Sequence, residues 1–356
     1  MQEDLLKFLS CPVCKKRLLL RRIQTNKKKF DTCDKLNIET GILGCSCGFL
    51  FPIIESVPRM LLESFIDHEN FLLENSPGFG GIKMKLLQEY GDLIETAQKR
   101  NKQTKASFSL EWSLIKGEQQ INVWQLTKEE YTVQLLNELD LPAQFFEKKL
   151  AIDVGCGHGR STVLLGEKCE TAIGVDLGSA VLKAYADNTS ENCHFIQADL
   201  HHLPFTDDSF DIVYSSGVLH HTPDTRRAFA TVSHLVINKG TYCVWLYRHN
   251  NDRIHKTIVW FRKITVHLPL RLQFWIYLIF FVPLHKFISL IRGRRSRSWK
   301  EIMIELLDSF SPRYRFEHEP EEVSSWFTGD GFTDIKTTTK NDIGFSMKGT
   351  KETINR

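Results

Sequence analysis

Residues 149–160 read KLAIDVGCGHGR, and this stretch decides the fold. A short apolar run leads into Asp153, three glycines follow at 155, 157 and 159, and a helix begins after them: strand, Gly-rich turn, helix. Glycine is needed in such a turn because the backbone takes unusual dihedrals and a ligand comes closer than a Cβ allows. A dinucleotide loop would read G-x-G-x-x-G, with a diphosphate on the helix amino end. Here the spacing is G-x-G-x-G, with an acid ahead of it, and Asp153 repels phosphate and attracts a cation. The loop therefore suits a ligand carrying an ammonium group.

Outward from the loop the same logic repeats. The next strand, TAIGVD, ends in Asp176, 23 residues after Asp153 and placed to accept hydrogen bonds from two ribose hydroxyls, with Leu177 beside it. A third strand, CHFIQAD, ends in Asp199, where an acceptor can take an adenine amino group while the Leu200 backbone faces the ring. A fourth apolar run, FDIVYSSGVLHH, puts Ser215, Ser216 and Gly217 at a strand tip. Three acids thus end three successive strands, and Cys156 inside the loop reads as a small packing residue, not a nucleophile.

Together DVGCGHG, GVDLG, QADLHHLPF and FDIVYSSGVLHHTPD resemble the class I S-adenosylmethionine-dependent methyltransferases of the type 11-like group, over about residues 148 to 248. S-adenosylmethionine carries the charge that Asp153 selects. The resemblance implies a doubly wound α/β fold, a seven-stranded Rossmann-like sheet with helices on both faces and the cofactor across the carboxyl ends of the strands. The cofactor-binding residues it implies are Asp153, Gly155, Cys156, Gly157, Gly159, Asp176, Leu177, Asp199, Leu200, Ser216 and Gly217. The tail fits, since EEVSSWFTGDGFTDIKTTTK followed by GFSMKGTK looks like the final helix and antiparallel strand pair of that fold.

Methyl transfer is an in-line displacement that needs alignment and exclusion of water, plus a base if the acceptor is a hydroxyl. His221, and after it His220, follow the fourth strand where an imidazole is suited to take a proton; the doublet also reads as a packing element. Phe108 and Trp112 in SFSLEW are placed to cover the cofactor. Tyr247 and Arg248 in WLYRHNN, with His249, and Tyr314, Arg315 and His318 in SPRYRFEHEPEEV are placed to line the acceptor pocket or hold its lid.

At the amino terminus, Cys11-Pro-Val-Cys14 is one metal half-site and Cys45-Ser-Cys47-Gly48, 31 residues on, is the second. Four thiolates from Cys11, Cys14, Cys45 and Cys47 make a closed site, so the ion, Zn²⁺, is structural and not catalytic. The second pair is C-x-C, tighter than C-x-x-C, and Cys33 lies nearby as a substitute ligand. CPVC and CSCGFLFPIIESVPRM resemble the short zinc ribbon of the tRNA-methyltransferase activator type.

The expected organisation is a zinc-ribbon module over 1–62, a helical connector and lid over 63–147, a catalytic core over 148–253 and 301–356, and a hydrophobic and basic helical insertion over 254–300. In the connector, Leu86, Leu87, Tyr90 and Leu93 stand at helical spacing. In the insertion, FWIYLIFFVPL spans Phe274 to Leu284; at 11 residues it is short of the roughly 20 a membrane span needs, and a transmembrane helix is rejected. The preferred reading is a cap buried over the active site. The other is an amphipathic face that dips into a membrane, peripheral contact through 264–300, giving access to a lipid-linked acceptor.

With 46 Lys+Arg against 43 Asp+Glu the chain lacks the field of a dedicated nucleic-acid binder. Local basic clusters occur at Lys15 to Lys29 and at Arg292, Arg294, Arg295, Arg297 and Lys300. Nine cysteines without an amino-terminal apolar signal segment argue for a reducing compartment, and a cytoplasmic protein is expected. The acceptor reads as a small molecule, sugar or lipid-linked molecule. The rivals are an RNA or protein methyltransferase that uses the basic ribbon for recognition, and a non-catalytic cofactor-binding scaffold.

Overall fold

The central sheet has a core of short strands, apolar almost throughout as strands covered on both faces must be, continued on one side by longer and more polar ones. These are β5 (Leu150–Val154), β6 (Thr171–Asp176), β7 (Cys193–Gln197), β8 (Phe210–Ser216) and β9 (Val236–Tyr247), followed late in the chain by β10 (Phe332–Lys340) and β11 (Gly344–Lys351). A computed structural model describes residues 1–114, 126–250, 253–291, 293 and 297–352. The sheet order is β10-β11-β9-β8-β5-β6-β7, with β5 to β9 parallel and β11 antiparallel to both its neighbours. The seven-stranded doubly wound sheet expected from the motifs is therefore present. The chain runs outward from β5 to β7 and returns to β8 on the other side, so a crevice opens at the carboxyl ends of β5 and β8.

Helices α5 (Arg160–Gly166), α6 (Ala180–Asp187), α7 (Thr225–Ser233) and α12 (Pro320–Gly329) cross between the strands. Ahead of the sheet, β1 (Leu19–Lys29), β2 (Asp34–Gly44), β3 (Leu50–Ile54) and β4 (Val57–Pro58) form an antiparallel four-stranded sheet in sequential order. Its last residues extend the main sheet: Arg59 bridges to Gln197 in parallel, and Met60 N–H donates to the Gln197 carbonyl at 2.7 Å. The edge of β7 is thereby covered, which removes a row of unpaired backbone groups. Ser10 N–H to Pro204 O (2.8 Å) and Lys15 Nζ to Leu203 O (2.7 Å) hold the ribbon to the core at a second place.

Helices α1 (Ser64–Asp67), α2 (Glu69–Asn75), the 35-residue α3 (Phe79–Ser113) and α4 (Lys128–Leu139) follow the ribbon. The first half of α3 packs on the ribbon through Leu86 and Tyr90, whose ring meets Phe49 at 5.2 Å. Leu87 and Leu93, expected on the same face, are partly exposed.

The insertion comprises α8 (Arg253–Thr265), α9 (Leu270–Ile276), a π turn (Tyr277–Phe281) and α10 (Val282–Ile291), before α11 (Trp299–Phe310). Pro283 does not end the helix. The π turn precedes it, with Val282 N–H reaching the Tyr277 carbonyl five residues back, and the wider turn accommodates a residue that has no N–H to give. Leu270–Ile291 is thus one 22-residue helical stretch, long and apolar enough by length and composition to cross a membrane, so the argument from an 11-residue run does not hold. The expected cap is corrected too. Among the described residues, none between 253 and 298 lines the central cavity; the stretch lies behind α11 through Tyr277, Val282 and Phe310, and its outer face is exposed. Of the basic cluster, Arg297 pairs with Glu305, while Arg292, Arg294 and Arg295 lie outside the described residues.

Candidate functional site

The crevice is a cavity of about 820 Å³. Its floor is the Gly-rich loop, where Gly155 (φ +85°) would press a Cβ into Val218 and Gly157 (φ +53°) would put one 3.0 Å from the Trp112 ring. Both positions demand glycine on conformation as well as on space. Asp176 fixes the loop: its Oδ2 accepts from Gly157 N–H (2.9 Å) and its Oδ1 from Gly178 N–H (2.6 Å). Asp153 lies beneath, accepting from Thr162 Oγ1 at 2.7 Å. Burial pushes the Asp153 carboxyl up to about 7, against the Thr162 bond and with the help of Asp176. Asp176 is raised as well, by burial.

Asp153, Gly155, Cys156, Gly157, Asp176, Leu177, Asp199, Leu200, Ser216 and Gly217 all line the cavity. Gly159 does not; it caps α5 at φ +78° against Phe195. Asp199 has a structural task as well, since it accepts from Asn101 Nδ2 (2.7 Å), His201 N–H (2.9 Å) and the Arg100 guanidinium. Burial works against its charge, but Arg100 and these donors hold its carboxyl below the usual range. At the tip of β8, Ser216 donates to buried Glu138, which also accepts from Tyr214 Oη at 2.7 Å.

The two histidines part company. His220 is absent from the cavity wall: its ring packs on Tyr247 (centroids 4.2 Å apart) and its Nδ1 accepts from Tyr247 N–H at 3.4 Å. His221 faces the cavity. Its Nδ1 lies 2.9 Å from the Tyr314 carbonyl, which can only accept, so Nδ1 carries the proton and Nε2 presents a lone pair. Among the described residues Nε2 has no hydrogen-bond partner, and it stands 3.8 Å from Asp308 Oδ1. Burial depresses the His221 imidazole to about 3, so it is neutral at any working pH.

Asp308, on α11, accepts from Tyr247 Oη at 2.6 Å. That helix begins with a reciprocal cap between Ser298 and Glu301, which fixes its entry. Glu111, on α3, is buried, and its Oε2 has no hydrogen-bond partner among the described residues. Its carboxyl is driven well above the usual range by burial and by Asp308 and Asp176, and Asp308 is raised by burial. Sequence reading missed both acids, although Glu111 stands inside SFSLEW. The signal was available: Arg100, Thr104, Phe108, Glu111 and Trp112 repeat at helical spacing and all line the cavity.

Phe108 and Trp112 also line the cavity, Phe108 edge-on to His221 at 5.2 Å and Trp112 against His158 at 4.1 Å. So do Tyr247, Tyr314 and Arg315, the last over the Tyr247 ring at 4.1 Å. Arg248 and His318 do not; their backbone bridge fastens residues 314–318 to the end of β9, and Phe316 N–H to His220 O (3.0 Å) ties the same segment to the turn after β8.

At the other end of the molecule, Cys11, Cys14, Cys45 and Cys47 bring their sulfurs within 4.8 Å of one another, with 3.7 Å from Cys11 to Cys47 and 3.4 Å from Cys14 to Cys45. Tetrahedral Zn–S bonds of about 2.3 Å space sulfurs at about 3.8 Å, so the donor set fits that ion. The C-x-C knuckle closes because Gly48, at φ +99°, donates its N–H to the Cys45 carbonyl at 2.9 Å. Cys33 is exposed and hydrogen-bonds Glu191, away from the cluster.

Residues 152–244 match the family model described as a methyltransferase domain. An uncharacterised methyltransferase, YcgJ, of Bacillus subtilis is 30% identical over 95 residues, which is 26% of this chain and 38% of that protein. The phthiotriol/phenolphthiotriol dimycocerosates methyltransferase of Mycobacterium tuberculosis is 31% identical over 107 residues, 29% of this chain and 40% of that one. The chain thus spans less than half the length of these curated relatives. Among solved structures, a complex of the Haloferax volcanii Trm112 methyltransferase activator with a methyltransferase is similar at 13% identity and a TM-score of 0.43, covering 72% of this chain and 99% of that one. The family match, the seven-stranded sheet and the motifs agree on a methyltransferase-type domain in the middle of the chain.

Proposed function

We propose that this protein transfers a methyl group from S-adenosylmethionine to a hydroxyl of an uncharged acceptor, a small molecule, sugar or lipid-linked glycan, and that a structural Zn²⁺ holds its ribbon. The observation that carries the reading is the set of buried acids in one cavity: Asp153, Asp176, Glu111 and Asp308, each raised by burial. Four Arg and Lys side chains stand on the wall: Arg100 pairs with Asp199, Lys105 with Glu63 and Asp67, and Arg315 with Glu317, while Arg160 donates to the Leu126 and Thr127 carbonyls and lies over the Tyr131 ring. Such a cavity favours a ligand bearing positive charge and rejects one bearing phosphate, which also disfavours an RNA acceptor.

Asp176, the glycine loop, Leu177 and Ser216 would hold S-adenosylmethionine, with Trp112 over the loop. When bound, it supplies an electrophilic methyl on a cationic sulfur that leaves as a neutral thioether. His221 Nε2 takes the acceptor hydroxyl's proton as the oxygen forms its bond to the methyl carbon. Asp308, oriented by Tyr247 Oη, stands 3.8 Å away to balance the imidazolium. Tyr314, through its carbonyl, keeps the proton on Nδ1 so that the lone pair of Nε2 faces the cavity. Phe108 and Trp112 shield the wall from water.

The test is calorimetric titration with S-adenosylmethionine. Wild-type protein is expected to bind, and Asp176→Ala to lose binding by roughly 100-fold or more, the loss expected from unfastening the loop and leaving its N–H groups unpaired. His221→Gln is expected to leave cofactor affinity unchanged and to lower kcat by about 10²–10⁴ on any acceptor found. Folded protein that does not bind S-adenosylmethionine would sink the proposal and leave the scaffold reading without its ligand as well.

A further inference from the structure

The insertion has a composition unlike the rest of the chain. From Arg253 to Lys300 it holds 11 Lys+Arg and no Asp or Glu, leaving the remainder with 35 Lys+Arg against 43 Asp+Glu. A chain near neutrality as a whole therefore has one element whose positive charges no acid of its own offsets, and that element is strongly apolar.

The positions the helix buries form a single stripe. Gln273, Tyr277, Val282 and Ser289 are buried, and the spacing of five between Tyr277 and Val282 is the one the π turn supplies. That stripe lies along α11, with Tyr277 meeting Phe310 at 5.9 Å. The opposite stripe, Trp275, Ile279, Phe280, Leu284, Phe287 and Ile291, recurs at helical spacing and is exposed, Phe280 at 65% and Ile291 at 69%. Soluble surfaces seldom leave large aromatic and aliphatic side chains in one run. Lys263, Arg271 and Lys286 stand exposed along the same elements.

We infer that the outer face of α9–α10 docks onto the surface of an anionic lipid bilayer, lying in the interface and not crossing it. The charge decides the occupant. A second copy would set one cation-rich, acid-free element against another, whereas anionic headgroups complement the cations while the acyl boundary takes the apolar stripe. The orientation follows from the packing: the inner stripe is held on α11, and a spanning helix would have to strip Tyr277 and Val282 from Ile302, Met303, Leu307 and Phe310. The far side of α11 carries Glu305, Asp308 and Ser309 on the cavity wall, so the bilayer would lie one helix layer from the acceptor site. The inference does not depend on the methyl-transfer reading.

The test is sedimentation of the full chain with phosphatidylcholine vesicles, with and without about 30% phosphatidylglycerol. Expected are co-sedimentation with the anionic vesicles, binding at least about tenfold weaker to the neutral ones, and weakening in high salt. Phe280→Glu with Phe287→Glu should reduce anionic binding at least about tenfold, while Val133→Glu, exposed on α4, leaves it unchanged. Quenching of tryptophan fluorescence by brominated acyl chains in the unsubstituted protein, which carries Trp260 and Trp275 on these helices, gives an independent readout. Failure to bind either vesicle, binding unaffected by the double substitution, or a stable dimer that the double substitution dissociates would overturn it. Because S-adenosylmethionine affinity is read separately, loss of vesicle binding and loss of cofactor binding cannot be confused.

Discussion

The ribbon and the insertion are both additions to the same sheet, and both are basic, yet they treat their apolar residues in opposite ways. The ribbon buries Phe49, Phe51 and Ile53 in one apolar cluster that continues through the sheet strands, and its chain closes the β7 edge. The insertion makes a small cluster of its own with α11 and turns a second apolar stripe to the outside. One element completes the fold; the other uses the fold as a mount. Lys and Arg content does not separate the two, and the fate of the aromatic residues does.

The largest effect should come from the ribbon. Cys11→Ser, or prolonged chelation, is expected to abolish metal binding and, because structural zinc affinity is folding free energy, to lower the melting temperature by about 10 °C or more. Metal analysis and thermal denaturation check both. If the four sulfurs hold no ion and chelation leaves the melting temperature unmoved, the ribbon is not held as the comparison requires.

Next come two substitutions on one helix. Tyr277→Ala, at the buried stripe, is expected to cost about 3–5 kcal/mol. Phe280→Ala, three residues on and 65% exposed, should stay within about 0.5 kcal/mol. Urea denaturation measures both, and equal costs would mean that the outer stripe is packed in solution.

The smallest effect concerns acid. Burial lowers His194, in β7 beneath the ribbon, and His201 to about 4, and His221 to about 3. Each binds its proton more readily when unfolded, so the stability they allow is complete above about pH 6.5 and falls as pH drops from there toward 4 and 3. Hydrogen exchange at pH 5 against pH 7 should show faster opening at the β7–ribbon seam, and a seam that is equally protected at both values would remove the histidines from the account.

The sheet was legible because its first four strands are short apolar runs with a polar residue at or next to the end, and because Gly155 and Gly157 sit at the spacing of a tight turn. The four-cysteine cluster was legible from two knuckles. What escaped was carried by long-range packing. Asp308 gains its meaning from Tyr247 and His221, and Glu111 from a burial that helical spacing only hints at. In the insertion, the helix runs on past the 11-residue apolar run and through Pro283, since a π turn leaves no trace in composition.

The carbonyl of Tyr314 that meets His221 has a genetic consequence. A main-chain oxygen is encoded by no codon, so substitution of the side chain at position 314 leaves the hydrogen-bond acceptor in place. The tautomer of the proposed base is thus shielded from drift at its own partner, and a search for that partner by alanine scanning would pass over it.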